Sequence, residues 1–196
     1  MDLYSVFPDK EIRPKGIISK TFVEMNIASF QGACAYVHHL PYGYNANRDD
    51  LMSLFEDGKG SCTTKHAVIA TLALELDLPV RKWIGIYAMT ETLVTGTAVI
   101  IEKYALPHLP MVHCFLGDGF HRVDLTQGNV NGKNGPIDDF LYTAKVDANI
   151  SAKDEYRLYR NVLKDKILNR EEFQAVEMKT VLKAREEGLA LLKARI

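Results

Sequence analysis

The stretch from Cys62 to Leu76, CTTKHAVIATLALEL, constrains this chain more than any other. Ala67, Val68, Ile69, Ala70, Leu72, Ala73, Leu74 and Leu76 leave it apolar nearly all round at helical spacing. A helix with no wet face belongs in the middle of a domain, with other elements packed against every side. The longest uninterrupted apolar stretch, Ala67 to Leu74, has a Thr inside it. It falls far short of the roughly 20 residues that cross a bilayer. Asp77 and Pro79 end the segment, and the two-glycine turn EDGKGSC opens it. Ser61 is the expected N-cap, which makes Cys62 the first helical residue.

Around this helix the elements are short and mixed. Ser29 to Leu40 reads as a helix opened by Ser29 and closed before Pro41. A helical turn follows near Leu51 to Phe55. Pro79 to Met89 reads as a strand, and Thr97 to Leu106 as a short helix closed by Pro107. Two short strands follow, about Met111 to Leu116 and Phe120 to Leu125. This mixture predicts an α+β fold: a buried helix packed on a small antiparallel sheet.

The pattern changes near residue 150. Residues 151–196 contain no Pro and one Gly, and carry eleven basic and eight acidic side chains. Two helices are expected there, 152–166 opened by Ser151 with Asp154 and 170–195 opened by Asn169 with Glu172. Ala175, Met178, Leu182, Leu189, Leu192 and Ile196 recur at heptad-like spacing in the second, with Arg185 breaking the seam. Docking on the chain's own core is the plainer reading of that stripe, and a homodimer through this C-terminal helix the other. The expected domains are a core, 1–150, and a helical C-terminal extension, 151–196.

Cys62 is placed for chemistry. The first-turn N–H groups of a helix have no intrahelical acceptors, and the macrodipole is positive there. Both favour a thiolate over a thiol, and can lower a cysteine pKa from about 8.5 to about 3.5–7.5. The same N–H groups can donate to a developing oxyanion. Cys34, inside an apolar helical stretch, and Cys114, on a strand, read as packing residues.

A base and its orienting acid come from VHCFLGDGFHRVDL. Asp118-Gly119 is a preferred pair for a two-residue hairpin loop. With that loop, His113 and Asp124 face each other across the hairpin, their Cβ atoms about 4.5–5.5 Å apart. A loop shifted to Gly117-Asp118 makes them diagonal neighbours on one face. A three-residue loop puts them on opposite faces.

GKGSCTTKHAVIATLALELDLPVR resembles the nucleophile helix of the transglutaminase-like superfamily of papain-like thiol enzymes. HCFLGDGFHRVDLT is similar to that family's His and Asp strands. The resemblance covers about residues 29–126 and implies Cys62 as nucleophile, His113 as general base and Asp124 as its orienting partner. Phe115 stands two residues after His113, where the family more often has Trp. Phe120 and His121 stand where a Trp often precedes the Asp.

His66, four residues after Cys62, lies on the same helical face and competes for the role of base; a packed helix residue is the plainer reading. Lys65 could support the thiolate electrostatically; a solvated lysine is the plainer reading. An oxyanion hole needs a second donor, and Gln31 is the candidate. No cysteine pair or H-x-x-x-H supports a metal, and no Walker A or G-x-G-x-x-G string a nucleotide site. The expected chemistry is therefore thiol-dependent acyl transfer without a cofactor. Hydrolysis of a peptide, protein or small amide or ester is favoured. The alternatives are protein transamidation and a non-catalytic binding module of the same fold.

Twenty-four Lys+Arg against twenty-five Asp+Glu argue against a nucleic-acid partner. The N-terminus has no apolar signal region, and three cysteines make an odd count without C-x-x-C spacing. A reducing cytoplasmic setting is expected, with no membrane association.

Overall fold

A computed structural model describes residues 2–196 of the chain. It is an α+β protein with a four-stranded antiparallel sheet. The helices are α1 (Ile17–Glu24), α2 (Phe30–His39), α3 (Ser53–Glu56), α4 (Cys62–Glu75), α5 (Thr97–Tyr104), α6 (Ala152–Val162) and α7 (Met178–Lys193). The strands are β1 (Arg81–Met89), β2 (Leu109–Gly117), β3 (Arg122–Val123) and β4 (Tyr142–Lys145), in the sheet order β3-β2-β1-β4. No helix among the described residues is long and apolar enough to cross a membrane.

The chain divides into two compact units, and although one boundary follows Ser151, the segment after it shares its unit with earlier parts of the chain. One holds residues up to Ile84 with Cys114–Asn129 and Ala144–Ser151. The other holds Gly85–His113, Val130–Thr143 and Ala152–Ile196. Three of the five boundaries fall inside β1, β2 and β4, and each of those strands runs from one unit into the other; the other two fall after Asn129 and after Ser151.

The first unit is built on α4. Eleven of its fourteen residues are buried, and α1, α2 and α3 pack against it. Phe22, Phe30, Val37, Leu54, Val68, Ile69 and Leu72 are fully buried around it. The helix is not buried throughout, since Leu74 near its end is 47% exposed. Its last residue serves a neighbour: the Glu75 carboxylate accepts the N–H groups of Ile18 and Ser19, capping α1 from outside. Ser29 caps α2 as expected, accepting from the Gly32 N–H.

The second unit closes on the C-terminal helices. Tyr159, Val162, Leu163, Ile167, Phe173, Val181, Ala184 and Leu192 join Ile86, Met89, Leu109 and Met111 in one cluster. The Tyr159 hydroxyl donates to the Pro110 carbonyl. A Cβ on Gly188 would stand 2.6 Å from Leu109 Cδ2 and 3.1 Å from Met89 Cε, so a larger residue there would have to displace those side-chain ends.

The tail differs from the sequence expectation in two ways. A π-turn at Leu163–Ile167 and a 3-10 turn at Glu171–Phe173 precede α7, which begins only at Met178. Asn169 closes the first helical run instead of opening the second, because its amide donates to the Lys164 and Asp165 carbonyls. The buried face of α7 is Val181, Ala184, Gly188 and Leu192, so the stripe expected from the heptad count is rotated and shares only Leu192 with it.

Candidate functional site

Cys62 is the first residue of α4 and Ser61 its N-cap position, as expected from the turn before them. The Ser61 hydroxyl makes no capping bond. The turn is instead held by Asn45, whose amide nitrogen donates to the Ser53 and Lys59 carbonyls and the Asp57 carboxylate. Its Oδ1 accepts from Thr64 Oγ1 at 2.7 Å. Gly60 allows the approach, since a Cβ there would stand 2.4 Å from Leu54 Cδ1 and 2.8 Å from Thr64 Oγ1. Cys34 and Cys114 are completely buried, whereas Cys62 is 8% exposed. Burial pushes the Cys34 thiol up, and Cys114 lies 3.7 Å from Thr63 Oγ1. Both are packing residues.

Three buried polar side chains secure the start of α4. Lys82, on β1, donates to the Thr63 carbonyl at 3.0 Å. Lys65 was expected in solvent but is 0% exposed. Its ammonium donates to the His38 and Leu40 carbonyls and to Asn129 Oδ1. Burial lowers its pKa to about 8, against the opposing pull of Asp124. Both lysines reach backbone carbonyls, which lets a cation stay where water is excluded.

His66 is the third, and it is fully buried. Its Nδ1 lies 2.6 Å from the Cys62 carbonyl, and the Leu125 N–H donates to its Nε2 at 2.8 Å. A carbonyl only accepts and an N–H only donates, so Nδ1 carries the proton and the ring is neutral. Asp124 Oδ1 lies 3.5 Å from Nε2. His66 is thus the packed residue expected, with one addition that spacing could not supply: it stands beside the carboxylate proposed for the triad.

Asp124 sits in the turn after β3 and belongs to the same unit as Cys62. Its Oδ1 accepts from the Thr126 N–H and hydroxyl at 2.8 and 2.7 Å. The backbone of the following residue is held on both sides: Leu125 N by His66, and Leu125 O by His38 Nδ1 at 3.2 Å.

The hairpin register differs from the expected one. Leu116 pairs with Val123 and Gly117 with Arg122, leaving a four-residue loop, Asp118 to His121. The cause is the Asp118 side chain. Its Oδ1 accepts the N–H groups of both Phe120 and His121, closing a wider turn than an Asp-Gly pair alone. Continued one step, this register sets Asp124 across from Phe115. His113 precedes Phe115 by two residues and therefore shares its face of β2. His113 belongs to the second unit, where it is 2% exposed and meets the edge of the Tyr87 ring. Phe115 stacks on Trp83 with ring centroids 6.3 Å apart, and Arg122 lies over its ring.

Gln31 is placed elsewhere in the first unit. Its amide donates to the Phe7 carbonyl at 2.7 Å and to the Ser5 carbonyl at 3.4 Å. To serve an oxyanion it would have to give up one of them. His38 and Asn129 were missed as members of this arrangement, and Lys65 was expected only as a support for the thiolate or a solvated residue. The available signal was the Lys65-His66 pair itself, two polar residues in a helix with no wet side.

Comparisons with protein-family models, with curated proteins and with solved structures find no match.

Proposed function

We propose that this protein is a thiol-dependent acyl-transfer enzyme of the transglutaminase-like, papain-like kind, acting by hydrolysis of an amide or ester. The observation that carries the reading is the attachment of Asp124 to the nucleophile helix. The helix that begins at Cys62 also supplies His66, which lies against Asp124 and binds the next peptide. A carboxylate held by four hydrogen bonds on itself and its neighbouring peptide is suited to orienting an imidazole. The position of Cys62 at the positive end of a fourteen-residue helix supports a thiolate. The resemblance of HCFLGDGFHRVDLT to the family's His and Asp strands supports His113 as base.

In the proposed reaction His113 takes the thiol proton, and Cys62 sulfur attacks the carbonyl carbon. The amine or alcohol leaves with the proton from the imidazolium as the C–S acyl bond forms. Water then cleaves the thioester and regenerates the thiol; an amine in its place gives transamidation. The ring of His66 is not the base in this scheme, because both of its nitrogens serve backbone groups.

Iodoacetamide labelling of Cys62 from about pH 5 to about pH 9 tests the proposal. The expected inflection lies well below 8.5, and His113→Ala moves it. Mass spectrometry with a panel of amide and ester donors is expected to trap an acyl group on Cys62. A labelling profile like that of free cysteine, unchanged in His113→Ala, together with no adduct from any donor, would identify a non-catalytic module instead.

A further inference from the structure

The second unit carries a cationic concavity that the acyl-transfer reading does not use. Lys153, Arg157, Arg160 and Lys164 follow one another at spacings of four, three and four. That pattern keeps them on one face of α6 and the π-turn after it. With Asn161, and with Met178 at the start of α7, they line a cavity of about 420 Å³. At about 1.5 Å per residue the four charges span about 16 Å.

Helix physics argues against this placement unless something binds there. Like charges three and four residues apart repel. Lys153 also lies in the first turn of α6, where the macrodipole disfavours cations. Only Arg157 is neutralised, by Asp154 at 3.1 Å. Lys153, Arg160 and Lys164 form no ion pair among the described residues. The Arg160 guanidinium rests on the Tyr156 ring, 6.0 Å from its centroid, with Arg185 at 5.6 Å from the same ring. Stacking holds Arg160 without consuming its charge.

We propose that this concavity binds a small ligand bearing two or more linked phosphates. Its volume is that of a small-molecule site, too small to seat a helix or strand of another protein. Arginine and lysine together match phosphate oxygens, the first by paired N–H donors and the second as a point charge. The asparagine amide adds a neutral donor. Free polyphosphate and a nucleotide present the same chemistry.

Calorimetric titration of the full chain with inorganic tripolyphosphate, orthophosphate and a nucleoside triphosphate tests this at two salt concentrations. Tripolyphosphate is expected to bind more tightly than orthophosphate, and to weaken as salt rises. Arg160→Gln with Lys164→Gln is expected to raise its Kd by about tenfold or more. Lys183→Gln, an exposed lysine on α7, is expected to leave the Kd unchanged. Equal affinity for tripolyphosphate and the nucleotide assigns recognition to the phosphates; tighter nucleotide binding assigns the nucleotide as the source. The proposal is overturned if tripolyphosphate does not bind, if orthophosphate binds equally well, or if Lys183→Gln costs as much as the groove variant. Binding only to a single-stranded oligonucleotide would overturn it too. Far-ultraviolet circular dichroism of each variant separates loss of the groove from loss of the fold.

Discussion

Two histidines hold the backbone of the residue after Asp124 from both sides, and one of them also holds the first carbonyl of the nucleophile helix. Removing His66 therefore costs more than the packing of one ring. His66→Ala leaves the Leu125 N–H and the Cys62 carbonyl without this ring in a buried setting. The expected destabilisation is about 2–4 kcal/mol, from the unsatisfied groups and the cavity together. Urea denaturation of the variant measures it, and a loss below about 0.5 kcal/mol would show that His66 is no anchor. Position four after Cys62 marks this residue as a neighbour of the thiol in the sequence itself. Its acceptor, the Cys62 carbonyl, is four residues away, but its donor, the Leu125 N–H, lies in a turn 59 residues away, which no local pattern specifies.

At the scale of elements, the hairpin shows how one side chain overrules a turn preference. Asp-Gly favours a two-residue loop, but the Asp118 carboxylate finds two backbone N–H groups further on and the loop widens to four. Burial raises the Asp118 pKa, and the bonds from His121 and Phe120 outweigh it, bringing it down to about 2. A carboxyl whose folded pKa lies below its unfolded value of 3.8 stabilises the fold above that value. The contribution is lost as pH falls from about 4 towards about 2. Asp118→Ala is expected to cost on the order of 1 kcal/mol at neutral pH, with the difference from the native chain shrinking over that acid range. Denaturation midpoints of the two proteins at several acid pH values check the sign. The same element shows what could be read early. The strands and α4 follow from apolar pattern and breakers, whereas the loop length depended on where one carboxylate pointed.

For the whole molecule, the C-terminal helices are not an appendage. Eight of the seventeen buried residues in the second unit's cluster come from the segment after residue 151. Truncation after Ser151 is expected to unfold residues 85–113, since their apolar side chains lose that cover. Limited proteolysis of the truncated chain should then cut within 85–113, and resistance there equal to the full chain would refute the dependence. The change of composition near residue 150 suggested a domain boundary because it marks a change from mixed elements to helix. A unit boundary does follow Ser151, but the segment beyond it packs with earlier residues: α7 lies on α5, and Gly188 lies against Met89 and Leu109. Local composition determined the α+β class, the central helix, Cys62 at its first position and the caps of α2. These depend on spacing within about a dozen residues. Tertiary structure decided the division into units, the burial of Lys65, the bond between His66 and the Leu125 N–H and the hairpin register. Each depends on which groups distant in the chain satisfy one another's hydrogen bonds, and sequence separation carries no record of that.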